Sequence, residues 1–209
     1  MQPEFWHKRW RSGQIGFHQL AVDRHLKAYW PGLRLPANSS VFVPLCGKSL
    51  DLIWLRERGH SVVGVEISPA AVETFCLENG IVATRRLVGG FEIFEADNLQ
   101  LIRGDLFELT PALLGGVAAI YDRASLIAWP PALRAPYVNQ ITQLTSPGTQ
   151  TLLIAVEYPQ SQMVGPPFSV TGDDIEDLYH QHHSIEPLGR HEIVDIEPRL
   201  RAQIGRAHV

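Results

Sequence analysis

VFVPLCGKSLDLIWLRERGHSVVGVE, from Val41 to Glu66, reads as strand, glycine-bearing turn, helix, second strand, and a carboxylate at that strand's end. Val41 to Leu45 is a short apolar run broken by Pro44 near its edge, and Gly47 permits the positive φ of a tight turn. Ser49 is placed to cap a helix whose Leu50, Ile53 and Trp54 share one face, widened by Leu52 and Leu55, with Gly59 as its stop. Val62 to Val65 is continuously apolar, as expected of a parallel strand covered on both faces. Glu66 then falls about 20 residues after the turn, the spacing at which a carboxylate meets ribose hydroxyls in nucleotide-binding α/β folds.

The turn itself discriminates between ligands. A dinucleotide site needs G-x-G-x-x-G so that backbone can approach a pyrophosphate, but Pro44-Leu45-Cys46-Gly47-Lys48-Ser49 has one glycine. A P-loop shares Gly47-Lys48-Ser49, yet its earlier glycine falls on Phe42, inside the strand. What remains is a nucleoside cofactor without a pyrophosphate, for which S-adenosyl-L-methionine is the commonest candidate. The competing reading is a generic βαβ unit with Glu66 merely solvated.

Outward from this unit the chain alternates strand and helix, which argues an α/β fold with a doubly wound, mostly parallel sheet. Val22, Leu26 and Tyr29 mark an N-terminal helix ended by Pro31, and Ser68-Pro69 opens a helix that stops near Asn79-Gly80. Phe91 to Glu95 and Leu99 to Arg103 read as a hairpin, Val117 to Tyr121 as a buried strand, Ala132 to Leu144 as helix, and Thr149 to Val156 as strand. Ligands of such sheets bind beyond the carboxyl ends of the strands, where Leu45, Glu66, Asp105 and Arg123 all fall. On the cofactor reading Glu66 would anchor the ribose and Asp105 or its backbone would face the adenine, whereas each charged residue alone could simply be solvated at a strand end.

The 209 residues are expected to form one domain, 1–209, with residues 1–39 as an N-terminal helical extension and flap. A net charge of -4 with no long basic run disfavours nucleic acid or anionic membrane as partner and favours a small molecule. Without an apolar leader or a run approaching about 20 apolar residues, the expected location is the cytoplasm. Cys46 and Cys76 are too few for a disulfide framework. His180, His182 and His183 place only one pair on a helical face, so no metal is assigned. Trp6 and Trp10, followed by Gly13, Gly16, Phe17 and His18, are either a staple to the core or an aromatic flap that bends over the crevice.

These motifs resemble the thiopurine S-methyltransferases, a branch of the class I S-adenosyl-methionine-dependent methyltransferases, and in particular their bacterial members. The resemblance covers nearly the whole chain. It rests on Trp6-x-x-x-Trp10 with Gly16-Phe17-His18, the turn Pro44 to Ser49, Gly59 to Ser68, Tyr121-Asp122-Arg123, and Gly165-Pro166-Pro167-Phe168. It implies a Rossmann-like fold and a cofactor pocket of Trp10, Leu45, Glu66 and Arg123, with Asp105 and Leu106 near the adenine. Phe17, Arg123, Pro166 of the Pro166-Pro167-Phe168 loop, and Arg199 would serve the acceptor, with Arg201 an alternative to Arg199. The final strand of the family is expected to be truncated here. The implied reaction is methyl transfer from S-adenosyl-L-methionine to an aromatic or heterocyclic thiol, extending to selenium or tellurium compounds, by a metal-free monomer. Such acceptors are already largely ionised near neutral pH, so no dedicated base is expected and no catalytic residue is singled out. The alternative is a protein that binds S-adenosyl-methionine without turning it over.

Overall fold

The computed structural model describes residues 3–193. Two compact units are distinguished, one running to Asp122 and including Gln143–Leu152, the other comprising Arg123–Thr142 and the chain from Leu153 onward.

The first unit opens with α1 (Pro3–Arg11) and α2 (Arg24–Tyr29). It continues through β1 (Ser40–Val43), α3 (Asp51–Glu57), β2 (Ser61–Glu66), α4 (Pro69–Glu78), β3 (Thr84–Val88), β4 (Phe91–Ala96), β5 (Leu99–Arg103), α5 (Pro111–Leu114) and β6 (Ala119–Arg123), whose last residue begins the second unit. With β7 (Gln150–Ile154) these strands form a seven-stranded sheet in the order β3-β4-β5-β2-β1-β6-β7. The central pairs β5-β2, β2-β1 and β1-β6 are parallel, with Ser40 opposite Ser61 and Val43 opposite Gly64; β3, β4 and β5 pair antiparallel. The doubly wound expectation holds, with an antiparallel edge added.

Burial follows the apolar runs. Val41, Phe42, Val62, Val65, Leu101, Ile102 and Ile120 are all buried, as strands covered on both faces require. Gly64 is a packing position: a Cβ there would stand 2.7 Å from Cys46 Sγ and 3.0 Å from Leu101 Cδ2. Within this core Asp51 is buried, its Oδ1 accepting the Asp23 N–H at 2.8 Å and its Oδ2 the Tyr121 hydroxyl at 3.0 Å. Asp23 in turn caps α2 by accepting from the N–H groups of His25 and Leu26. The N-terminal extension is thereby fixed to the start of α3.

Three local readings shift. β1 stops at Val43 rather than Leu45, although the Cys46 N–H still bonds the Val65 carbonyl at 2.9 Å and carries the pairing onward. Leu50, not Ser49, occupies the cap position of α3, while Ser49 Oγ accepts the Asp51 N–H at 3.2 Å. β3 was not anticipated, because all five of its residues are exposed and no alternation of burial marks it. Its pairing with β4 is what makes it a strand.

In the second unit, α6 (Pro131–Leu144), whose last two residues belong to the first, and α7 (Gly172–Tyr179) frame the loops. Thr171 and Asp174 form a reciprocal capping box at α7. Buried Arg134 donates to the Ser169 carbonyl at 2.6 Å and pairs with Asp174 at 3.3 Å. His180 bonds the Glu176 carbonyl at the end of α7. Among the described residues no group of three or more His, Cys, Asp or Glu is arranged to hold a metal, and no helix is long and apolar enough to cross a membrane.

Candidate active site

The turn after β1 is built from unusual backbone. Gly47 has φ 55°, and Leu45 has φ 45°, a left-handed state that costs a branched residue of order 1–3 kcal/mol. Such strain persists only where surrounding contacts hold it. Here Lys48 Nζ reaches both oxygens of Glu78, at 2.6 and 2.8 Å, tying the turn to the last residue of α4.

Glu66 is the centre of this region. The residue is 5% exposed, and each carboxylate oxygen accepts a backbone N–H: Oε2 from Gly47 at 2.9 Å and Oε1 from Ser68 at 2.7 Å. These bonds fix the side chain between the two turns that follow β1 and β2. Burial raises the pKa of the carboxyl above its ordinary value, while the Ser68 and Gly47 N–H groups pull the other way. The Ile67 N–H also acts on this carboxylate, and a carboxylate has about four lone-pair sites, so some acceptor capacity is left for a ligand hydroxyl. The residues therefore fit a nucleoside cofactor, which needs both a charged acceptor of this kind and a glycine that lets it approach the main chain.

The neighbouring strand ends at the same edge. The Gly104 N–H bonds the Glu66 carbonyl at 3.0 Å, which sets Asp105 immediately beyond β5 and beside β2. Asp105 accepts the Phe107 N–H at 2.9 Å and so caps a short 3-10 turn that begins at buried Leu106. Its side chain therefore has a local structural duty.

Over the turn lies the aromatic segment. A Cβ on Gly47 would stand 3.0 Å from Trp10 Cζ2, so the indole rests directly on that glycine. Phe17 meets Trp6 and Trp10 edge to face, with centroids 5.6 and 5.5 Å apart. None of the residues of α1 is fully buried. Trp6, Trp10 and Phe17 are each half-buried, and Trp10 packs against the Gly47 turn.

Cys46 offers no nucleophile here. Burial, and then the charge of Glu66, push its thiol well above the ordinary range.

Leu45, Gly47, Glu66, Asp105, Leu106, Trp10 and Phe17 thus all belong to the first unit. Arg123 is the last residue of β6 and the first of the second unit. Pro166 also lies in the second unit, in a loop held by a Phe168 N–H bond to the Ile127 carbonyl at 2.7 Å and a Tyr158 hydroxyl bond to the Pro167 carbonyl at 2.6 Å. Gly165 is required there: its φ is 83°, and a Cβ would stand 2.6 Å from the Phe168 ring. Arg199, Arg201 and the expected truncated final strand lie outside the described residues.

Several solved structures similar to this one are S-adenosyl-methionine-dependent methyltransferases. The 1,6-didemethyltoxoflavin-N1-methyltransferase of Burkholderia thailandensis, solved with S-adenosylhomocysteine, aligns with a TM-score of 0.63 at 15% identity, covering 99% of this chain and 84% of that one. A methyltransferase from Anabaena variabilis aligns at 0.66 and 16% identity, covering 99% and 92%. The thiopurine S-methyltransferase family model matches residues 1–207. Proteins named thiopurine S-methyltransferase from Methylococcus capsulatus and Pseudomonas fluorescens are 47% and 46% identical, over 97% and 93% of this chain and 92% and 89% of theirs. The chain belongs to the thiopurine S-methyltransferase family and is an enzyme that uses S-adenosyl-L-methionine.

Proposed function

We propose that this enzyme methylates the sulfur of an aromatic or heterocyclic thiol of the thiopurine type, and that selenium or tellurium anions are accepted by the same chemistry. The reading is supported by family membership and, within the molecule, by the buried Glu66 carboxylate held between Gly47 and Ser68. On this reading Glu66 binds the ribose, the left-handed Leu45 to Gly47 turn follows the amino-acid moiety, and Asp105 with Leu106 borders the adenine. The whole chain acts as one methyltransferase domain on a small-molecule acceptor, as a cytoplasmic monomer, without nucleic acid or membrane.

When bound, S-adenosyl-L-methionine supplies an electrophilic methyl on a sulfonium. The protein's part is placement. Trp10 and Phe17 cover the cradle and exclude water, and their negative ring faces suit a nearby cation. Arg123 and Arg199 attract and orient an anionic acceptor, with the Pro166 loop shaping its apolar side. Alignment of this kind is worth roughly 7–11 kcal/mol of barrier, so a thiolate needs no added base.

The test is product analysis. Labelled cofactor incubated with thiopurine, thiophenol, selenite and tellurite should yield S-adenosyl-homocysteine and the methylated acceptor with the wild-type enzyme, and much less with Glu66→Ala. Cofactor binding without turnover on any of these thiols would overturn the thiol reading of the acceptor.

A further inference from the structure

We propose that His7 is a positioning residue: a latch that seats the aromatic cover over the cofactor turns. The proposal rests on reading Gly47 and Glu66 as the cofactor cradle. His7 Nε2 lies 3.1 Å from the backbone oxygen of Ile67, the residue after Glu66. A carbonyl only accepts, so the bond puts the imidazole proton on Nε2, and Nδ1 faces Glu4 Oε2 at 3.6 Å. Among the described residues this is the one hydrogen bond that α1 makes to the edge of the sheet.

The placement is what gives the bond a function. Trp10 is three residues on from His7 and therefore on the same helical face. The helix thus touches the cradle at two points, by a hydrogen bond at Ile67 and by an indole on Gly47. Glu66 lies between them, bonded to Gly47 on one side and to Ser68 on the other. Because no residue of α1 is buried, packing alone gives the helix a weak seat. Without the His7 bond, Trp10 and Phe17 would keep their mutual contacts but lose the register that holds them above the glycine. His7 then acts on cofactor binding through the position of Trp10, without touching the reacting atoms.

The experiment compares His7→Leu and His7→Gln with wild type and with Glu66→Ala. Binding of S-adenosyl-homocysteine is measured by calorimetry, the kinetic constants with a thiopurine acceptor, and amide exchange over Trp6–Ser12. Glutamine carries an amide donor that can reach the Ile67 carbonyl; leucine has none. His7→Leu is expected to weaken binding roughly 3- to 10-fold, the net worth of one hydrogen bond. It should raise KM for the cofactor by the same factor with kcat at saturation within twofold, and speed exchange in α1. His7→Gln should restore most of the affinity. Wild-type affinity in His7→Leu, or equal loss in His7→Leu and His7→Gln, overturns the latch. Wild-type affinity in Glu66→Ala overturns the cradle reading itself, and does so independently of either His7 variant.

Discussion

Replacing Glu66 tests the cradle most directly, because the side chain joins a stability effect and a binding effect that separate cleanly. Glu66→Ala removes the acceptor of two backbone bonds, at 2.9 and 2.7 Å. Hydrogen bonds to a charged group are worth about 1.5–3 kcal/mol each, but the alanine also relieves a buried charge whose effective penalty is several kcal/mol. The two nearly offset, so the fold should change by no more than about 2 kcal/mol. Cofactor binding has no such offset: losing the ribose acceptor should cost about 1.5–3 kcal/mol, or roughly 10- to 150-fold in Kd. Calorimetric titration with S-adenosyl-homocysteine, alongside a denaturant midpoint, reads both. A folded alanine variant with wild-type affinity would refute the assignment.

The same residue sets a pH dependence. Its folded pKa is raised above 4.5 chiefly by burial, so its contribution to stability is fully present below that value and is lost as pH rises through the folded one. The stability of wild type relative to Glu66→Gln should therefore fall as pH is raised from about 4.5 towards neutrality. Affinity for the cofactor should rise over the same window as the acceptor ionises. A stability difference that grows with pH would contradict the burial argument.

Gly64→Ala should destabilise by about 1–3 kcal/mol, since the added methyl meets Cys46 Sγ and Leu101 in a packed strand; an unchanged melting temperature would mean those neighbours yield freely. Arg123→Ala should depress turnover on an anionic thiol strongly, and Arg123→Lys should recover only part, because charge without the planar fork orients poorly. Cofactor affinity must be measured alongside, and wild-type turnover in the alanine variant at saturation would remove Arg123 from the reaction. Native Cys46 should resist alkylation at pH 8 and react once unfolded, as a buried thiol with a raised pKa must.

The central βαβ unit was legible because one-sided rules govern it: a glycine where φ must be positive, continuous apolar residues where both faces are covered, and a carboxylate at the strand end. Its position as β1 and β2, with Glu66 buried between turns, follows that reading closely. β3 was illegible for the converse reason, since an exposed edge strand obeys no burial pattern and exists through its partner. Trp6, Trp10 and Phe17 were visible as a group, but staple and cover differ only in burial, which sequence does not carry. His7 is one of the unspecified positions of Trp6-x-x-x-Trp10, and its partner is a backbone carbonyl 60 residues away that no local spacing reveals. Lys48 with Glu78, and Asp51 with Tyr121, are likewise pairings across the chain that no local spacing announces.

Asp51 has a consequence for how the protein is made. Its two oxygens receive groups 28 residues earlier and 70 residues later, the Asp23 N–H and the Tyr121 hydroxyl. Synthesis delivers the N-terminal extension first, yet docking it early would bury Asp51 without the tyrosine, an arrangement that desolvation of a carboxylate disfavours. The segment that leaves the ribosome first is therefore expected to settle late, once β6 has paired with β1. Nascent chains stalled before residue 121 should be cleaved readily by protease between α1 and α2, and chains extended past β7 should resist. Equal resistance at both lengths would show that the extension docks without waiting for its distant partner.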